Sequence, residues 1–181
     1  PVHKITIIPR GSAYLGATMQ LPEKDRYTES LVKLKSMLCG LMAGRAAEAL
    51  VLGDITTGAG NDLKQATHLA RLMVCAWGMS DALGPQTFGA QEELLFLGRE
   101  VARQQDFSED TARRIDGEVA TLLREAYDKA FGLLKEHRPK LDLIARLLLE
   151  RETLDGRDVE DIARRGRLLT EEERAASGTA A

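Results

Sequence analysis

Apolar residues recur every three to four positions along most of the chain, the spacing that lines one face of a helix. From Thr28, a good N-cap, to about Leu50, the positions Leu31, Leu34, Leu38, Leu41, Met42 and Arg45 fall at helical spacing, with Gly53 near the stop. A second helix follows a Thr/Gly turn, carries Leu63, Ala66, Ala70, Met73, Val74 and Trp77 on one stripe, and is stopped by Gly78. Ser108 caps a third, with Ile115, Val119, Leu122, Ala126, Ala130, Leu133 and Leu134 on its stripe and His137, Arg138 and Pro139 at its end. Residues 140–150 read as a further apolar helix, and "TLDGRDVEDIARR" as a short one capped at Thr153 or Asp155.

Strand-like character is confined to the beginning. "KITII", residues 4–8, is a strand ended by Pro9, Arg10 and Gly11, and Leu15 to Leu21 a weaker one ended by Pro22. The pattern therefore predicts a mainly α protein, a helical bundle with a small antiparallel β ribbon near the N-terminus. So small a sheet is marginal alone and must lean on helices. Residues 79–107, punctuated by Gly84, Pro85, Gly89 and Gly98, read as a long irregular loop. One domain is expected over residues 1–165, with a flexible polar tail over 166–181.

Composition agrees with helices, since only 4% of residues are aromatic and β-branched residues are sparse beyond the first twenty positions. A net charge of -3 gives no reason to expect nucleic acid or an anionic membrane as partner. Cys39 and Cys75 lie far apart inside apolar stripes, as packed thiols of a reducing compartment do. No apolar run approaches the ~20 residues that span a bilayer, and no signal peptide is visible, so the chain itself reads as soluble. It starts at Pro1 without an initiator Met and runs straight into "VHKITIIP", which reads as the interior of a longer protein.

Candidate chemistry is sparse. His3, His68 and His137 share no helical face and have no carboxylate or thiol at the spacing a metal needs, so they read as ordinary polar positions. No GxSxG elbow occurs. Asp62, at the junction of the turn and helix in "TTGAGNDLKQATHLARLMV", is ambiguous. An acidic residue in a first turn is stabilised by the helix dipole in any case, yet Asn61 alone would serve as a cap. From the residues alone both a helix-start role and a metal-ligand role remain open, and a single carboxylate cannot hold zinc.

Eight blocks in order, "PVHKITIIPRG", "LGATMQLPEKDR", "GRAAEALVLG", "TTGAGNDLKQATHLARLMV", "WGMSDALGP", "FLGRE", "SEDTARRIDGEV" and "LLERETL", resemble the peptidase domain of the FtsH family. These are membrane-anchored, ATP-dependent zinc metalloproteases. The resemblance implies a parent protein with an upstream AAA+ module that binds ATP and Mg²⁺, anchored in a membrane with this domain on the cytoplasmic side. It implies a homohexameric ring that degrades unfolded or membrane proteins. The family's zinc site uses two histidines of an HExxH helix, whose Glu is the general base, and the aspartate of a "TTGAxNDL" pattern, which falls on Asp62. Glu48 is the runner-up carboxylate, or a group that orients a ligand.

No HExxH occurs in this chain, so two zinc ligands and the base are missing, and the isolated chain is expected to be inactive. Ala49 also stands where a second Glu is common in the family. A substrate-binding role is expected for Lys4, Ile5, Thr6, Ile7 and Ile8, as an exposed edge that pairs with extended substrate backbone. The alternative to a protease fragment is a non-catalytic helical assembly module that has lost its metal site.

Overall fold

The computed structural model describes residues 2–9, 17–20, 28–89 and 107–178. The chain divides into two compact units, one formed by residues 28–135 and the other by residues 1–27 together with 136–181.

The first unit is helical. α1 (Leu31–Leu52) starts where the Ser30 hydroxyl accepts from the Lys33 amide at 3.3 Å, two residues after the expected cap, and ends at Gly53 in the left-handed region. Its buried positions, Leu34, Leu38, Met42 and Ala46, repeat every four residues, whereas Leu31 is exposed. α2 (Gly60–Arg71) buries Ala66 and Ala70 completely and then widens into a π-helical turn, Leu72–Ala76, which buries Met73 and Val74. Trp77 was expected on that stripe and is 46% exposed instead. The extra residue of the π turn, whose Trp77 amide donates to Leu72 O, rotates it off the packed face.

α3 (Glu109–Glu136) is capped by Ser108, which accepts from the Thr111 amide at 3.2 Å. It packs Ile115, Val119, Ala126 and Ala130 into the same core. The segment expected as an irregular loop is fastened over its first ten residues. Buried Ser80 donates to Glu118 at 2.7 Å and accepts from the Leu83 amide, and the Phe88 amide donates to Cys75 O at 2.9 Å. The remainder, residues 90–106, lies outside the described residues.

The second unit holds the sheet. β1 (Val2–Thr6) pairs antiparallel with β2 (Ala17–Gln20), as expected. It also pairs antiparallel with β3 (Thr153–Asp155), a stretch expected as the start of a helix. The strand order is β2-β1-β3, so β1 is the central strand. Residues 4–6 are therefore interior to the sheet and not an exposed edge, whereas Ile7 and Ile8 lie beyond its paired registers. Lys4, Ile5 and Thr6 are paired on both sides, and Ile7 donates its amide to Glu152 O at 3.0 Å. A backbone whose donors and acceptors are already used offers no ladder to another chain.

α4 (Arg138–Arg151) opens with Pro139 in its first turn and closes at Glu152, a non-glycine in the left-handed region (φ 60). α5 (Gly156–Arg165) is capped by Asp155, which accepts from the Asp158 amide at 2.9 Å, and stops at Gly166. Leu154 and Ile162 are fully buried with Leu147 and Leu148, and Ile5 packs against them. Within the expected tail, residues 171–178 are helical. α6 (Glu171–Gly178) is tied to α5 by Arg174, which reaches Asp158 at 2.6 Å and Asp161 at 2.8 Å. Three opposing carboxylates, Glu171 included, supply an order that small polar residues alone do not.

Candidate metal centre

The turn between α1 and α2 is built around Glu48. Its Oε1 accepts the Thr56 hydroxyl at 2.6 Å and its Oε2 the Thr56 amide at 3.2 Å. The Thr56 hydroxyl oxygen in turn accepts the Gly58 amide at 3.1 Å, and the Gly60 amide donates to Thr57 O at 3.0 Å. These bonds hold the Glu48 carboxyl below the usual carboxylate range, the Thr56 hydroxyl contributing most, then the Thr56 amide, with Arg45 adding to them. Arg45 Nη1 stands 3.6 Å from Glu48 Oε2 and, among the described residues, has no hydrogen-bond partner.

Helix α2 then begins without a side-chain cap. Ala59, buried against the core, occupies the N-cap position, and the first helical bond runs from the Leu63 amide to its carbonyl. The expected cap, Asn61, is already inside the helix and exposed. Asp62 is half-buried in the first turn and has no hydrogen-bond or ion-pair partner among the described residues. Its Oδ2 lies 4.0 Å from where a Cβ on Gly44 of α1 would stand. The carboxylate thus reaches over α1 at a position where α1 carries no side chain, one turn before Glu48.

The other expectations separate clearly. His68 is exposed on α2, and His137 is the N-cap of α4 with no side-chain cap bond. His3 belongs to β1. Among the described residues no group of three or more His, Cys, Asp or Glu side chains is arranged to hold a metal ion. Cys39 and Cys75 are free and pack partly into the helical core, and burial pushes the Cys75 thiol up, as in a packed thiol. The Glu48–Thr56 link escaped sequence reasoning. Its only trace is a carboxylate near a helix end followed by threonine in the next turn, a common combination.

Comparison with known proteins bears on what this turn does. Residues 1–162 match the family described as Peptidase family M41. The ATP-dependent zinc metalloprotease FtsH of Acidobacterium capsulatum is 54% identical over 159 residues, 88% of this chain and 25% of the relative. The protein of the same name from Thermotoga maritima is 45% identical over 172 residues, 95% of this chain and 27% of the relative. That named FtsH 4 from Sorangium cellulosum is 51% identical over 175 residues, 96% of this chain and 27% of the relative. The chain spans about a quarter of the length of the relatives it matches.

Proposed function

Because the chain belongs to peptidase family M41, we propose that it is part of the peptidase domain of an ATP-dependent zinc metalloprotease, and that Asp62 is a protein ligand of the zinc. The observation that carries this reading is the state of the Asp62 carboxylate. It is half-buried, set in a helix's first turn, and spent on neither capping nor an ion pair among the described residues. Leaving a carboxylate half-buried and unpaired is unfavourable for the fold, and coordination of a cation would offset that cost.

The donor chemistry fits. A monodentate carboxylate completes a two-histidine site while leaving one position open, the arrangement of catalytic zinc centres. One ligand is the whole contribution of this chain's described residues. The two histidines and the general base belong to an HExxH helix elsewhere in the longer polypeptide. When bound, zinc supplies Lewis acidity toward a peptide carbonyl and lowers the pKa of its bound water to about 7. Asp62 contributes negative charge, and helix geometry with the tethered turn sets the backbone position from which its carboxylate extends. Gly44 keeps the adjacent face of α1 clear.

The remaining family properties belong to the same proposal. A AAA+ module using ATP and Mg²⁺, a homohexameric ring, a membrane anchor with this domain on the cytoplasmic side, and unfolded or membrane-protein substrates are assigned to the full-length protein. Among the described residues no helix is long and apolar enough to cross a membrane. With residues 4–6 of β1 paired on both sides, the outer sides of β2 and β3 are the edges that no described strand pairs, and main-chain pairing with a substrate would fall to one of them.

The test is Asp62→Asn in the full-length protein. Peptide hydrolysis is expected to fall by about 100-fold or more, since even groups behind a metal ligand cost 10–100-fold, while ATP hydrolysis persists. Near-normal proteolysis would refute the assignment of Asp62, whereas absence of proteolysis in the parent protein itself would favour the assembly-module alternative.

A further inference from the structure

We infer that Glu48 is a positioning residue for Asp62, acting through Thr56, and is not itself a metal ligand; this rests on the reading of Asp62 as a zinc ligand.

Glu48 and Gly44 are four residues apart on α1, so they occupy one face on successive turns, about 6 Å apart along the axis. The Asp62 carboxylate lies over Gly44, and the Glu48 carboxylate grips Thr56 one turn further on. The bonds run without a gap from Glu48 to Thr56, from the Thr56 hydroxyl to the Gly58 amide, and across Thr57–Gly60 into the first turn of α2. Glu48 therefore fixes where α2 starts relative to α1 at the place where Asp62 meets α1. Arg45 Nη1 stands 3.6 Å from the Glu48 carboxylate and adds opposite charge to it. Gly58 fits this arrangement closely, since a Cβ there would stand 3.2 Å from the Thr56 hydroxyl oxygen and 3.4 Å from Glu48 Oε1.

Both Glu48 oxygens are engaged by Thr56, whereas the Asp62 carboxylate has no hydrogen-bond or ion-pair partner among the described residues. The same turn launches the helix that carries Asp62. Glu48 is thus placed to fix the turn, and Asp62 is the carboxylate left available to a metal. Metal sites whose ligands are held by such outer contacts lose about 10–100-fold in affinity when the contact is removed.

The experiment compares Glu48→Gln, Thr56→Val, Thr56→Ser and Asp62→Asn in the full-length protein. Zn²⁺ affinity is read by competition with a chelator, and the ligand set by the visible spectrum at saturating Co²⁺. E48Q and T56V are each expected to weaken Zn²⁺ binding by about 10–100-fold. T56S should restore it, and the E48Q/T56V double variant should be no weaker than the worse single variant, because both cut one linkage. At saturating Co²⁺, E48Q should keep the parent spectrum, whereas D62N changes it.

Loss of affinity in E48Q but not in T56V, or a changed Co²⁺ spectrum in E48Q, would make Glu48 a direct ligand and overturn the inference. Parent-like affinity in both E48Q and T56V, with D62N impaired, would overturn it while leaving Asp62 as ligand. Parent-like affinity in D62N would remove the zinc reading itself. A metal-free check on the 181-residue chain guards against misfolding. E48Q should speed hydrogen exchange at the Gly58 amide while α1 amides stay protected, and unchanged Gly58 exchange would count against the linkage.

Discussion

Asp62→Ala in the 181-residue chain separates a helix cap from a carboxylate held for another purpose. Loss of a side-chain cap costs about 0.5–2 kcal/mol. Asp62 forms no such bond, because the N-cap is Ala59 and the first turn closes through backbone alone. What Ala removes is the attraction of a carboxylate to the helix N-terminus, about 0.3–1 kcal/mol. What it adds is helix propensity, up to about 0.7 kcal/mol. The net lies between a gain of about 0.4 and a loss of about 1 kcal/mol, before any relief from removing a half-buried, unpaired charge. For a chain of this size 1 kcal/mol moves the melting temperature by about 2–4 °C. Thermal unfolding followed by circular dichroism is therefore expected to shift by no more than about 4 °C downward, and it can shift upward. In the full-length protein the same substitution should abolish tight Zn²⁺ binding. A loss above about 2 kcal/mol in the isolated chain, or unchanged Zn²⁺ affinity in the full-length protein, would refute the reasoning.

Two further predictions concern the unit that carries the sheet. Ala at position 156 would press its Cβ against the Val2 carbonyl oxygen, with His3 O at 3.2 Å and the Val2 carbonyl carbon at 3.3 Å. All three are backbone atoms, so β1 or α5 has to move. Gly156→Ala should therefore lower stability by about 1–3 kcal/mol, outweighing a helix-propensity gain of at most about 1 kcal/mol. A urea midpoint at or above the parent's would contradict this. Glu173 is held at about 2, against 4.5 ordinarily, first by its paired hydrogen bonds with Arg167 and then by the Thr170 amide. A carboxyl lowered in the folded state stabilises fully above its unfolded pKa and loses that contribution as pH falls through the folded one. Protection of α6 amides is thus expected to hold at pH 5 and above and to decline between about pH 4.5 and 2, with Arg167→Gln removing the part of that acid dependence that Glu173 supplies. A decline already complete at pH 5 would contradict it.

Sequence alone settles what is decided within a few residues of chain. Apolar spacing and local stop signals determine α1 to α3, because a helix's buried stripe, its Ser108 cap and its Gly53 terminus are short-range properties, although the α1 cap falls on Ser30 and not on the expected Thr28. The eight ordered blocks likewise establish the family without coordinates. Tertiary structure decides what depends on distant partners. β1 becomes a central strand because Thr6 meets Glu152 and Thr153, some 146 residues away, and three residues with no strand signal of their own complete the sheet. α6 is ordered because Arg174 finds Asp158 and Asp161 together on α5. Asp62 is the sharpest case. Ala59, Asn61 and Asp62 all lie within reach of one helix start, and only the backbone path through the turn that Glu48 and Thr56 tie determines that the cap falls on Ala59 and leaves Asp62 over Gly44 with its oxygens unbonded among the described residues.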